Sequence, residues 1–141
     1  REVRRRVGLV FQNADDQLFC PTVLEDVAFG PLNLGLPPTA ARDAAHAALE
    51  EVGLPGFEER VTYRLSGGEK RLVALATVLA MQPDVLLLDE PQNGLDVEAY
   101  ERIRELLTAS PRAMIVVSHD KAFLDAVATR CLMLRNGRVE R

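Results

Sequence analysis

Three apolar runs in this 141-residue chain each end in polar residues of types that handle phosphate or a hard cation. Val85 to Leu88 runs into Asp89-Glu90, Ala113 to Val117 runs into Ser118-His119, and Val7 to Phe11 runs into Gln12. Read as buried parallel strands, these runs deliver two carboxylates, an imidazole and an amide to one rim, because ligands of open parallel sheets bind beyond the carboxyl ends of the strands. That set suits magnesium-nucleotide chemistry. Asp89 can hold the ion directly or through water, Glu90 can orient and polarise an attacking water, and His119 can contact the γ-phosphate. Taken singly, each has an ordinary explanation: Asp-Glu after a strand is common helix-cap or loop chemistry, and a lone histidine is more often a satisfied rim residue.

A fourth cluster, Leu65-Ser66-Gly67-Gly68-Glu69, changes the weight of the other three. Two glycines at a helix start leave backbone N–H groups uncovered, so Ser66, Gly67 and Gly68 can approach a phosphate closely with the helix dipole behind them. Ser66 and Glu69 also have capping-box spacing, which by itself accounts for those two residues.

The elements that must hold these clusters are legible from periodicity and breakers. Thr22 and Glu25 form another capping box, which starts a helix that Gly30-Pro31 ends. After Pro37-Pro38, Thr39 caps an Ala-rich helix to about Val52, with Gly53 in the stop position. Leu72, Leu75, Ala76, Leu79 and Ala80 recur at helical spacing until Pro83 forbids continuation. The Val85 to Leu88 run reads as a strand covered on both faces. Asp96 caps a helix to about Ala109, Pro111 breaks it, and Ala113 to Val117 is the next strand. Strand, helix, strand implies a parallel right-handed crossover. Lys121 to Ala128 is helical, and Cys131 to Leu134 enters a tight turn at Asn136-Gly137. Residues 23–82 are expected to be helical without a strand.

Composition narrows the class. Seventeen Lys+Arg against 21 Asp+Glu give a net charge of −4, and 48% hydrophobic with 27% charged residues is ordinary for a folded domain. No basic block beyond Arg4, Arg5 and Arg6 supports nucleic acid as a partner. The longest apolar stretch, Leu72 to Met81, is well short of the roughly 18 residues of a membrane span. Two cysteines far apart, Cys20 and Cys131, make neither a disulfide framework nor a zinc site, so a reducing, cytoplasmic setting is expected, with both as small buried hydrophobes. His46 is expected at the surface. The five Phe residues are expected mostly in the core, with Phe19 as the candidate partner contact.

The order Gln12, Leu65 to Glu69, Asp89-Glu90-Pro91, Asn93-Gly94-Leu95-Asp96, Ser118-His119-Asp120 closely resembles the ATP-binding subunits of ABC transporters, over essentially the whole chain. The resemblance implies an α/β fold: a P-loop NTPase-like parallel sheet core, here incomplete, over residues 1–22 and 83–141. A helical subdomain, residues 23–82, is inserted in it. Gln12 is similar to the Q-loop glutamine, which contacts nucleotide and metal, and Leu65 to Glu69 to the signature motif. Val85 to Asp89 resembles the Walker B strand with Asp89 as metal ligand, and Glu90 the catalytic glutamate. Asn93 to Asp96 resembles the D-loop, and His119 the switch histidine. ATP and Mg2+ are the implied cofactors. The implied partners are a second ABC ATPase subunit, as homo- or heterodimer, and a transmembrane transporter subunit, which places the chain at the cytoplasmic face of the cell membrane. In that head-to-tail pair Gln12, Asp89, Glu90 and His119 serve the chain's own nucleotide, while Ser66, Gly67 and Gly68 serve the partner's; Asp96 is a further implied nucleotide-binding residue. The segments Gln12 to Phe19 and Glu25 to Pro31 resemble the energy-coupling-factor branch, which includes cobalt, nickel and vitamin importer ATPases.

The departures are specific. A phosphate-binding loop needs Gly-x-x-x-x-Gly-Lys-Ser/Thr, yet the only lysines are Lys70 after Glu69 and Lys121 after Asp120. The family carries that loop upstream of the Q-loop, so the expectation is a chain that begins after it and binds ATP weakly alone. An exposed neighbour or face is then expected on the Val7 to Phe11 and Val85 to Leu88 strands. Gln92 and Val97 stand where relatives often carry Thr and Pro, in loops. Two competing functions are a non-catalytic interaction module and a soluble, non-transport ABC ATPase; the latter usually carries a long coiled-coil or linker insertion, and none lies between Gln12 and Ser66.

Overall fold

A computed structural model describes residues 2–140. Three parallel strands, β1 (Val7–Val10), β2 (Val85–Asp89) and β3 (Ala113–Val117), lie side by side in that order with β2 central. The register pairs Val10 with Leu88 and Leu88 with Val116, so all three strands end at one rim.

A short helix, α1 (Glu2–Arg6), precedes β1 and was not legible as one; Arg5 donates to the Leu34 carbonyl at 2.9 Å and Arg6 to Asp84 at 2.7 Å. Between β1 and β2 lie α2 (Val23–Asn33), α3 (Pro38–Glu51) and α4 (Gly67–Leu79), with single 3-10 turns at Ala14–Asp16 and Thr62–Arg64. An isolated antiparallel bridge, Thr22 to Val61, closes that segment on itself. After β2 come α5 (Val97–Ala109), then β3, α6 (Lys121–Val127) and an exposed hairpin of β4 (Met133–Arg135) and β5 (Arg138–Glu140). Asn136 and Gly137 both take positive φ, as a two-residue hairpin turn requires.

Both capping boxes form: the Thr22 and Ser66 hydroxyls accept from the amides of Glu25 and Glu69, whose carboxylates reach back to the Thr22 and Ser66 amides. Asp96 caps α5 through the Ala99 amide at 2.8 Å. The strand expected from Cys131 begins at Met133, and two helix boundaries also differ from expectation. Thr39 makes no cap, because α3 starts two residues earlier than that cap implies, on Pro38, whose fixed φ suits the first helical turn and whose absent N–H needs no partner. Pro31 does not end α2. It lies in the last turn, where a missing donor removes a single bond, and the Leu34 amide still reaches the Gly30 carbonyl at 3.0 Å.

One face of the sheet is packed. Val10, Leu86 and Leu88 join Val73, Ile103, Leu107 and Phe123 in a continuous core, and α4 comes so close to β1 that a Cβ on Gly8 would lie 2.2 Å from Val78 Cγ1. The opposite face is open: Leu9 is 44% exposed, Ile115 61% and Val117 57%. The reading of Val85 to Leu88 as covered on both faces is therefore corrected, while the exposed face expected on the first two strands is present. Val85 and Leu87 are half-buried, and β3 alternates between half-buried and exposed residues, because none of the described residues forms a layer on that side. An open apolar face flanked by two strand edges favours association. Static light scattering of the chain is expected to show species larger than a monomer, and Ile115→Lys with Val117→Lys should return them towards monomer.

Three further expectations are corrected. Cys131 is exposed and Cys20 only half-buried. Of the phenylalanines only Phe123 is fully buried, while Phe11, Phe19 and Phe29 are exposed and Phe57 is partly buried. Their surroundings are loops and the outer side of α2, where among the described residues no second layer covers them.

Candidate functional site

The end of β2 turns sharply at Glu90, which takes φ +45°. Its amide still donates to the Val117 carbonyl at 2.9 Å, so the ladder with β3 holds up to the residue where the chain turns. This left-handed conformation directs the carboxylate to the Ser118-His119 corner. Glu90 Oε1 accepts the His119 amide at 3.2 Å and lies 2.8 Å from His119 Nδ1, while Oε2 accepts from Gln92 Nε2 at 2.9 Å. The carboxylate is 14% exposed and the imidazole 76%. A strained non-glycine backbone at a functional corner is held only when its surroundings over-determine it.

The support behind this pair is a chain of hydrogen bonds. Gln92 also donates to Ser118 Oγ at 2.7 Å, which accepts the Asp120 amide at 3.0 Å. Asp120 caps α6 through the Phe123 amide and accepts the Tyr100 hydroxyl at 3.0 Å. Gln92, read as an unimportant loop difference, is thus 94% buried and grips the carboxylate. Sequence gave no signal for it, since a glutamine two residues after Glu90 has no distinctive spacing.

Electrostatics follow from the contact. His119 is raised above its ordinary value of 6.5, first by the hydrogen bond to Glu90 and then by its charge. Burial alone would raise Glu90, but hydrogen bonds from His119 and Gln92 outweigh it, so the carboxyl is held below its ordinary range. The His119 contribution is present below pH 6.5 and fades as pH rises through its raised value; that of Glu90 is present above its ordinary value and fades as pH falls through its lowered one. NMR titration of His119 is expected to give a midpoint above 6.5 that returns towards 6.5 in Glu90→Gln; an unchanged midpoint in the variant contradicts the contact.

Gln12 lies just beyond β1, exposed, on the same rim as Asp89, which is exposed at the end of β2. Arg71, on α4, donates to the carbonyls of Phe11 at 2.7 Å and of Gln12. Ser66, Gly67 and Gly68 form the start of α4, one turn before Arg71; the Ser66 hydroxyl and amide bond Glu69 within that turn and not Glu90 or His119. Gly68 lies against the start of α5: a Cβ there would come 2.7 Å from the Ala99 Cβ and 3.9 Å from Asp96 Oδ2. The structure therefore makes two clusters. Gln12, Asp89, Glu90 and His119 share the strand-end rim, while Ser66, Gly67, Gly68 and Asp96 share the corner of α4 and α5. Gly68→Ala is expected to cost about 1–3 kcal/mol through that overpacking, read as a lowered denaturant midpoint, whereas Gly67→Ala, with open space around it, should change stability little.

Among the described residues no three His, Cys, Asp or Glu converge as a metal cage. Mg2+ takes one or two carboxylates with substrate phosphates and water rather than an all-protein cage. Asp89, with Gln12 beside it on the rim, has the oxygen donors for this. Nor is there, among the described residues, a helix long and apolar enough to cross a membrane.

Comparison with known proteins gives the same order of elements a family. Residues 1–93 match the model of the ABC transporter family. The energy-coupling factor transporter ATP-binding protein EcfA of Methanothermobacter thermautotrophicus is 48% identical over 96% of this chain and 45% of its own. The cobalt import ATP-binding protein CbiO of Rhodobacter capsulatus is 49% identical over 96% of this chain and 50% of its own. Among solved structures, cbiO1 of Clostridium perfringens, part of an ABC transporter complex cbiONQ, superposes with a TM-score of 0.89 at 35% identity, over 99% of this chain and 57% of that one. A dimeric ATP-binding cassette in a post-hydrolysis state, bound to ADP and Pi, superposes with a TM-score of 0.84 at 29% identity, over 98% and 62%. The chain spans about half the length of the curated relatives it matches. With a matched family model over most of its residues and the same cassette fold, the chain belongs to the ABC transporter ATP-binding family.

Proposed function

We propose that this chain is part of the ATP-hydrolysing subunit of an energy-coupling-factor importer, with residues 1–22 and 83–141 as nucleotide-binding core and 23–82 as helical subdomain. ATP-driven closure of two such subunits would move a membrane partner that carries a metal ion such as cobalt or nickel, or a vitamin. The observation that carries the reading is the Glu90 carboxylate gripped by His119 and Gln92 at the end of β2. Similarity to EcfA and CbiO supports the importer branch, and similarity to a dimeric cassette supports the paired arrangement.

In this scheme Mg2+ bound with ATP would supply neutralisation of charge on the phosphates. Asp89 and Gln12 would hold it, and Glu90 accepts a proton from the attacking water at its carboxylate. His119, with Nδ1 turned to Glu90, keeps Nε2 free to donate to a γ-phosphate oxygen. Ser66 and Gly67, exposed at the helix start, with buried Gly68 behind them, close over the nucleotide of the second subunit. Peripheral seating on the membrane partner falls to the outer side of α2, where the exposed rings of Phe19 and Phe29 meet edge to face at 4.8 Å. No Gly-x-x-x-x-Gly-Lys stands in the 141 residues, so calorimetric titration of these residues alone with Mg-ATP is expected to show no micromolar binding. The reading itself is tested by reconstituting the encoded subunit with its membrane partner in proteoliposomes: ATP-dependent uptake supports it, and ATP hydrolysis that no membrane protein stimulates contradicts it.

A further inference from the structure

Arg71 is a buried cation outside the chemistry described above. It is only 6% exposed and sits on α4 one turn after Gly67-Gly68. Burial lowers its pKa, and the negative charge of Asp89 works in the opposite direction. Burying a guanidinium is costly unless its donors are used. Here two of them are spent on successive backbone carbonyls, those of Phe11 and Gln12, where the chain leaves β1. Arg71 thereby ties the residue that faces the chain's own nucleotide to the helix whose start faces the partner's.

We propose that Arg71 is a positioning residue that couples the two nucleotide sites of the dimer: it holds Gln12 in fixed relation to Ser66, Gly67 and Gly68, so that closure of the helix start on one nucleotide is felt at the other. This rests on the paired-subunit reading above. The planar fork is suited to the task because it can reach two carbonyls at once, whereas an ammonium is a single point donor. Two neighbouring contacts brace the same junction. Gln17 accepts the Phe11 amide at 3.2 Å and donates to the Ala74 carbonyl of α4 at 2.7 Å, and Lys70 meets Asp15 at 2.6 Å. Arg71 differs from both in being the one that holds Gln12 itself.

The test uses the encoded protein with Arg71→Met, which keeps length and apolar packing but removes the donors, and Arg71→Lys. Hydrogen exchange, which needs no turnover, is expected to show faster exchange at residues 11–13 in Arg71→Met, with β3 and α6 unchanged and partial recovery in Arg71→Lys. In ATP hydrolysis the unsubstituted protein is expected to show a Hill coefficient above 1 that falls to 1 in Arg71→Met and recovers partly in Arg71→Lys. Merely lost stability would lower the active fraction and leave that coefficient unchanged. A Hill coefficient of 1 in the unsubstituted protein, or one unaltered by Arg71→Met, overturns the coupling. Unaltered exchange at 11–13 overturns the tether. Absence of ATP hydrolysis in the unsubstituted protein counts instead against the proposed function, and the exchange measurement still decides the tether.

Discussion

Glu90→Gln in the encoded subunit is expected to lower ATP turnover by about two to four orders of magnitude, the range that general acid–base groups contribute. The amide keeps the shape of the side chain and can still accept the His119 amide, but it can no longer take a proton from water. Its charge also disappears from beside His119, whose titration should fall back towards its ordinary value. Nucleotide binding does not need the carboxylate, so ATP should accumulate unhydrolysed on the variant, read by retention of radiolabelled ATP on a desalting column. Turnover within threefold of the unsubstituted protein would remove Glu90 from the role of base. Hydrogen bonds from His119 and Gln92 hold the Glu90 carboxyl below its ordinary range, so it is ionised and able to take the proton.

The largest expected effect on stability comes from Phe123→Ala, at about 3–5 kcal/mol for a fully buried aromatic ring. Phe123 packs edge to face on Tyr100 with ring centroids 5.6 Å apart, and the Tyr100 hydroxyl holds Asp120 next to His119. The loss should therefore reach the site before it unfolds the chain. Chemical denaturation is expected to show a midpoint lowered by that free energy, together with broadened His119 resonances under native conditions. A substitution at equally buried Leu49, in the helical layer away from the rim, should lower the midpoint and leave His119 sharp. Equal effects of the two on His119 would contradict this path of support.

What was legible in the sequence was whatever local chemistry decides. Ser66 with Glu69 and Thr22 with Glu25 fix helix starts through bonds made within one turn, so spacing alone reveals them. Val85 to Leu88 and Ala113 to Val117 are read as strands because a short apolar run bounded by polar residues has few other uses. What was not legible depends on residues far apart in the chain. Pro31 looked like a stop because a proline is costly in mid-helix, yet its position in the last turn of α2 and its buried ring make it tolerable. The cover over Ile115 and Val117 could not be inferred from their hydrophobicity, since cover is a property of the neighbouring layer. Gln92 and Arg71 escaped for the same reason: each matters through partners, Glu90 and Ser118 for one and Phe11 and Gln12 for the other, that only folding brings within reach.

The central claim is that the strand-end rim and the start of α4 are two halves of one kind of ATP site, completed between two subunits. It is tested most directly by a crystal structure of the Glu90→Gln subunit with Mg-ATP. The predicted result is a dimer with the γ-phosphate within hydrogen-bond distance of His119, the metal beside Asp89 and Gln12, and Ser66 of the partner subunit on the same phosphate. A nucleotide bound away from Asp89 and His119, or held within one subunit with the start of α4 facing solvent, would contradict it.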